Sequence, residues 1–237
     1  TDYSEILVKA ARSVLVELVH LLGEYWENIV LVGGWVPELL LSTAKSPHIG
    51  SIDVDLALNH LKLQDEGYKS IQSLLIERGY IQGKQPFIFN RKLVVGGNEI
   101  SVQVDMLSGE YQGTTKGHRH QRIRGGLARK TRGCDLAFDN PVVVTVVGEL
   151  PSGARDTVKV RVASIVPFLV MKGMALDDRL KEKDAWDIYY CIQNYPGGLD
   201  RLIGEFKPYI KHGLVKEGLE KIAKHFASEK NVGPRFV

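Results

Sequence analysis

The sequence predicts an α/β chain of the α+β type. A mixed-sheet lobe with flanking helices is expected over residues 1–163 and a helical lobe over residues 164–237. Three observations predict this. Apolar residues recur at helical spacing over 6–22 and again through the whole chain after Ser164. Between these regions lie short runs rich in β-branched residues with period-two alternation, the signature of half-buried strands. Glycine and proline clusters separate the runs.

The elements follow in order. Residues 6–22 read as an amphipathic helix, 29–32 as a short strand and 35–41 as a helix, with Pro37 in its first turn, where a missing N–H costs little. Residues 52–58 read as a strand and 65–78 as a helix. Residues 80–89 and 92–95 read as a hairpin pair before a strand over 99–107. A second hairpin, 141–147 with 157–162, turns through Glu149-Leu150-Pro151-Ser152-Gly153. Helices then run to the end, interrupted at Tyr195-Pro196-Gly197-Gly198 and near Gly213.

Composition sets bounds. The 237 residues, 44% hydrophobic and 25% charged, suit a globular chain with a sizeable core. No apolar run approaches the roughly 20 residues that span a bilayer, so no membrane partner is expected. The acidic, amphipathic start does not resemble a basic-then-apolar export signal, so a cytoplasmic location is expected. Cys134 and Cys191 lie far apart without metal-type spacing and read as reduced thiols, with a disulfide as the lesser alternative.

Chemistry concentrates in three segments: Leu31-Val32-Gly33-Gly34-Trp35, Ser51-Ile52-Asp53-Val54-Asp55-Leu56 and Val102-Gln103-Val104-Asp105-Met106. Side chains alternate along a strand, so Ser51, Asp53 and Asp55 share one face while Ile52, Val54 and Leu56 pack on the other. By the same parity Asp105 points away from Val102 and Val104. Carboxylate oxygens are the ligands that Mg2+ or Mn2+ prefers. Two such cations can neutralise the attacking and leaving oxygens of a phosphoryl transfer. Gly33 and Gly34 let backbone approach a nucleoside triphosphate, and a helix starting near Trp35 directs its free N–H groups there. The set therefore reads as a metal-dependent nucleotidyltransferase site: Asp53, Asp55 and Asp105 as metal-binding and catalytic residues, Gly33 and Gly34 as nucleotide-binding ones.

This order resembles the nucleotidyltransferase superfold related to DNA polymerase beta. In detail it is similar to the AbiEii-like nucleotidyltransferase toxins of abortive-infection and type IV toxin–antitoxin systems. A second block strengthens the likeness: Met171-Lys172-Gly173-Met174-Ala175-Leu176, then Arg179, then Lys183-Asp184-Ala185-Trp186-Asp187-Ile188-Tyr189. The resemblance spans roughly residues 29–190. It implies that Lys172 contacts the nucleotide phosphates and acts in catalysis, and that Asp184 and Asp187 are required acidic positions at the nucleotide site. It also implies a tRNA 3′ end as acceptor, a growth-arresting toxin role and a neutralising antitoxin protein. The chain departs from the pattern at Gly34, where many nucleotidyltransferases carry a phosphate-binding serine, and the interval from Gly34 to Asp53 is longer than in minimal versions.

On its own geometry, one continuous helix from Val166 would place Lys172, Leu176, Arg179, Lys183 and Asp187 on one stripe, with Lys172 and Arg179 facing phosphate. The bland alternative is a solvated face with local ion pairs. A break near Lys183-Asp184 would make Asp184 a helix N-cap.

Net charge is only +3, which permits RNA contact without demanding it. From Lys116 to Arg132 the chain carries Arg and Lys throughout and no acidic residue. This follows the third carboxylate strand, so Arg122 and Arg124 are candidates for an RNA backbone. His118 and His120 read as part of this basic surface, without His or Cys partners for a metal. Two rivals stand beside this reading: a small-molecule (antibiotic) nucleotidyltransferase, against which the basic run argues, and a non-catalytic nucleotide-binding or interaction protein, which would have lost its carboxylates.

Overall fold

In the computed structural model, residues 5–109 and 128–237 are described. The architecture is mixed α/β, as the periodicities predict. Helix α1 (Glu5–Leu21) leads through a 3-10 segment (Gly23–Asn28) into β1 (Ile29–Val32), then α2 (Trp35–Leu40) and β2 (Asp53–Leu58). Next come α3 (Asp65–Glu77), β3 (Ile81–Gln82), β4 (Ile88–Val95) and β5 (Asn98–Ser108). After β6 (Arg129–Lys130) the hairpin β7 (Val142–Glu149) and β8 (Arg155–Val162) completes the sheet. The rest is helical: α4 (Ile165–Arg179), α5 (Glu182–Asn194), α6 (Gly198–Phe206), α7 (Gly213–His225) and α8 (Val232–Arg235).

One mixed sheet runs β3-β4-β5-β2-β1-β8-β7, with β6 pairing on the end of β5. The register that matters for chemistry is β2 parallel to β5, which sets Asp53 beside Gln103 and Asp55 beside Asp105. Paired residues share a face, so the three carboxylates rise from one side of two adjacent strands. The other side belongs to the core. Val54, Val102 and Val104 are fully buried there, and Arg91, paired with Val102 and on the same face, reaches Glu17 of α1 at 2.9 Å. Helix α1 therefore covers the sheet face opposite the carboxylates. Helix α2 packs against α4 and α5. Helix α4 lies against α7 so closely that a Cβ on Gly173 would come within 2.6 Å of the Gly218 carbonyl oxygen.

Two local expectations are corrected. The hairpin pair split at Asn90-Arg91 is one unbroken strand, β4, and the turn lies before it, between β3 and β4. Polar side chains at 90 and 91 look like a break in the sequence, but each has a place in a half-buried strand: Asn90 pairs beside Gln103 on the carboxylate face, and Arg91 is held by Glu17 on the other. A second, tighter turn at Gly96-Gly97, both at positive φ, joins Val95 of β4 to its β5 partner Asn98. The continuous helix from Val166 is interrupted too, at Leu180 rather than at Lys183-Asp184. Leu180 adopts a left-handed φ of 48° and closes α4, Lys181 is the N-cap of α5, and Asp184 sits inside its first turn.

Candidate active site

Asp53, Asp55 and Asp105 bring three carboxylates to one face within the span of two neighbouring strands. Asp55 is pushed up to about 8, by burial first and then by the charges of Asp53 and Asp105. Asp105, 8% exposed, is likewise raised by burial, partly offset by a hydrogen bond from Gln103. The Gln103 amide donates to both Asp105 oxygens at 3.0 and 3.1 Å, and the Ser51 hydroxyl donates to Asp53 Oδ1. Among the described residues, no three His, Cys, Asp or Glu side chains already close around a point that could hold a metal ion. The cluster is thus an array of mutually repelling oxygen donors whose outer oxygens are held by neighbours.

The glycine turn presses directly against it. Gly33 has φ +71°, and a Cβ there would lie 1.9 Å from Asp55 Oδ2. Glycine is therefore required twice over, for the left-handed backbone and for the space that the Asp55 carboxylate occupies. Gly34 starts α2 with ordinary helical angles, and a Cβ on it would meet Ser51 Oγ at 2.6 Å and Lys183 Nζ at 3.1 Å. Gly33→Ala is expected to cost about 1–2 kcal/mol from the backbone alone, a drop of roughly 2–8 °C in melting temperature, and to displace Asp55. An unchanged melting curve would show that the turn relaxes freely.

The cations come from the α4–α5 corner. Lys172 is buried, with its Nζ 2.9 Å from Asp184 Oδ1 and 2.7 Å from Asp187 Oδ2. Burial pulls its ammonium down, but Asp187 and Asp184 together outweigh that and hold it well above the usual lysine range. Burial pushes both carboxylates up. Arg179 and Lys172 more than reverse this at Asp184, and Lys172 and His48 do so at Asp187, so both stay ionised. Arg179 grips Asp184 with two hydrogen bonds, at 2.6 and 2.8 Å, yet remains partly exposed and feels the charges of Asp55 and Asp53. Lys183 stands between Asp187, at 3.3 Å, and the Gly34 turn. Burial lowers its pKa. The interruption at Leu180 folds the helical stripe back on itself, so Lys172, Arg179, Lys183 and Asp187 meet across a helix corner instead of lining one helix.

Two participants escape the sequence reading. His48 lies in the interval before β2, buried, with Nε2 2.9 Å from Asp187 Oδ1. Because the Gly50 N–H donates to His48 Nδ1 at 3.1 Å, Nδ1 is the acceptor and Nε2 carries the proton given to Asp187. Ser51 shares the carboxylate face by parity, but parity assigns it no task; its hydroxyl fills the space beside Gly34. A lone His 139 positions away from its partner has no local signature. The available hint is that no carboxylate stands three or four positions from Lys172 within α4, so its partner must come from elsewhere. Arg122 and Arg124, with His118 and His120, lie outside the described residues. Of the basic run, Arg129 and Lys130 form β6, and Arg132 pairs with Glu217 at 2.5 Å.

Among the described residues, no helix is long and apolar enough to cross a membrane. No protein-family model matches the chain, and no curated protein matches it either.

Proposed function

We propose that this chain is a metal-dependent nucleotidyltransferase that moves a nucleoside monophosphate from a nucleoside triphosphate to an acceptor hydroxyl. The observation that carries the reading is the register Asp55 beside Asp105, with Asp53 on the same face, set against the Gly33-Gly34 turn. The donor set fits a hard divalent cation. It is all oxygen, and burial together with the charges of Asp53 and Asp105 holds the Asp55 carboxyl up, a cost that a cation between them removes. Asp53, Asp55 and Asp105 would hold Mg2+ or Mn2+, which when bound supplies charge neutralisation on the phosphate oxygens.

The chain's own groups do the rest. Gly33 and Gly34, having no side chains, let the triphosphate approach the backbone of the turn. Arg179 and Lys183 face the leaving phosphates, with Lys172, Asp184 and Asp187 as the buried frame that aims them. Lys172 then acts on the nucleotide through this frame. The acceptor oxygen bonds to the α-phosphorus, the bond to the β-phosphate oxygen breaks, and pyrophosphate leaves. The hydroxyl proton passes to Asp105, the carboxylate that β5 adds beside Asp55. Incubation with Mg2+, each labelled triphosphate in turn, and total RNA tests the reading; failure to transfer any of the four labels would remove it.

For the acceptor we favour RNA, with a tRNA 3′ end and a toxin role neutralised by an antitoxin suggested by the family resemblance. Its support is the acid-free run from Lys116 to Arg132. Replacing Arg122 and Arg124 with Ala is expected to weaken RNA binding and flatten its salt dependence, by roughly 0.7 in slope for each single-strand phosphate that goes unneutralised. Triphosphate binding should change less. An unaltered salt slope would shift the balance to a small-molecule acceptor.

A further inference from the structure

Strand β7 ends the sheet and pairs only with β8, in an unbroken register from Val142 opposite Val162 to Glu149 opposite Arg155. Among the described residues no backbone hydrogen bond reaches its outer edge. Edge strands are normally blunted by charge, proline, a bulge or brevity, because a bare edge templates further pairing. At the opposite end of the sheet β3 is two residues long. Strand β7 has eight residues, reads Val-Val-Val-Thr-Val-Val-Gly-Glu, and carries neither charge nor proline before Glu149. Val142, Val143 and Val147 are 40%, 54% and 45% exposed.

We propose that two copies of this chain join edge to edge through β7, antiparallel, about a two-fold axis at Thr145. Such an axis stands perpendicular to the sheet and keeps each face on its own side, so paired residues must share parity. Centring on Thr145 gives Thr145 opposite Thr145, Val143 opposite Val147 on the exposed face, and Val144 opposite Val146 on the α1 face. Every one of these is a β-branched pair, the kind that stabilises cross-strand contacts. From 143 to 147 the strand is its own complement in this register, with Val142 opposite Gly148 at the ends, so a second copy is the partner that the chain itself supplies.

Charge permits it as well. Glu149 falls opposite Pro141 of the second copy, and its carboxylate is already held by Lys9 at 3.2 Å. Lys159, beside Thr145 on β8, would lie three strand spacings from its equivalent. That is about 14 Å, beyond the screening length of about 8 Å at physiological salt. The strip is roughly 27 Å long. One strand edge of this length buries less than the roughly 1,200 Å² of a standard interface, so the dimer is weak and concentration-dependent.

Sedimentation equilibrium on the full chain tests this. The wild type is expected to shift from monomer to dimer with concentration, and Thr145→Lys to remain monomeric with an unchanged circular-dichroism spectrum. Cysteine trapping checks the register, since Cys134 and Cys191 are buried and silent. Thr145→Cys should give a disulfide-linked dimer on mild oxidation. Val143→Cys should not, because its equivalent lies about 14 Å away and a disulfide reaches about 7 Å. A wild type that stays monomeric throughout overturns the proposal, as does a Thr145→Lys variant that still dimerises or equal cross-linking of the two cysteine variants.

Discussion

Asp55→Asn is expected to lower nucleotide transfer by more than about a hundredfold, above the range for outer partners of a metal, while making the metal-free protein more stable at neutral to alkaline pH. The amide keeps the shape of the side chain and loses the charge that would hold the cation. It also removes a group that folding disfavours. Asp55 has a folded pKa near 8 against an ordinary 3.8, so between those values the folded state holds a proton that the unfolded chain has released. Stability of the wild type therefore falls as pH rises from about 4 to about 8 and levels off above, and the variant should lack that component. Asp53→Asn should match the drop in transfer. Melting curves across this pH range, with and without Mg2+, read both effects. Near wild-type transfer by either variant would end the metal assignment, and parallel pH profiles would end the account of Asp55.

Lys172→Met should destabilise the protein by about 3 kcal/mol, because it removes the cation that two buried carboxylates share and leaves Asp184 with Arg179 alone and Asp187 with His48 and Lys183. Asp184 and Asp187 are only 1% and 0% exposed, so neither can turn to water for compensation. Lys230, on the surface, should tolerate loss of its charge without measurable change. Denaturant unfolding in the absence of nucleotide separates this frame role from direct phosphate contact. A lysine that served only the phosphates would lower nucleotide affinity and leave the unliganded protein as stable as before.

The two carboxylate strands can be read from the sequence because period two leaves little freedom. Once Val54, Val102 and Val104 must be buried, Asp53, Asp55 and Asp105 must face the other way. The turn is equally legible, since few settings besides a crowded left-handed corner ask for Gly33. What parity cannot supply is which strands are neighbours, and so the pairing of Asp55 with Asp105 comes only from the fold. The cationic frame is the least legible part. Lys172 belongs to a helix whose residues Phe168, Leu169, Val170, Met174 and Leu176 are all buried. A lysine amid such a run signals burial, and burial demands acids. Reading α4 and α5 as one helix hides where those acids come from, because the left-handed Leu180 carries no glycine to announce the corner. His48 cannot be found locally at all.

The contact between His48 and Asp187 spans 139 positions of chain, so the two halves of the site are made at different times during synthesis. The carboxylates of β2 and β5 emerge from the ribosome early, whereas the cations and acids of α4 and α5 follow on the order of ten seconds later at ~5–20 residues per second. A nascent chain thus carries the acidic half of the site without the cationic half proposed to grip a triphosphate. On the proposed function, a product truncated before α5 would lack both Asp187 and the Lys183 that stands beside the Gly34 turn.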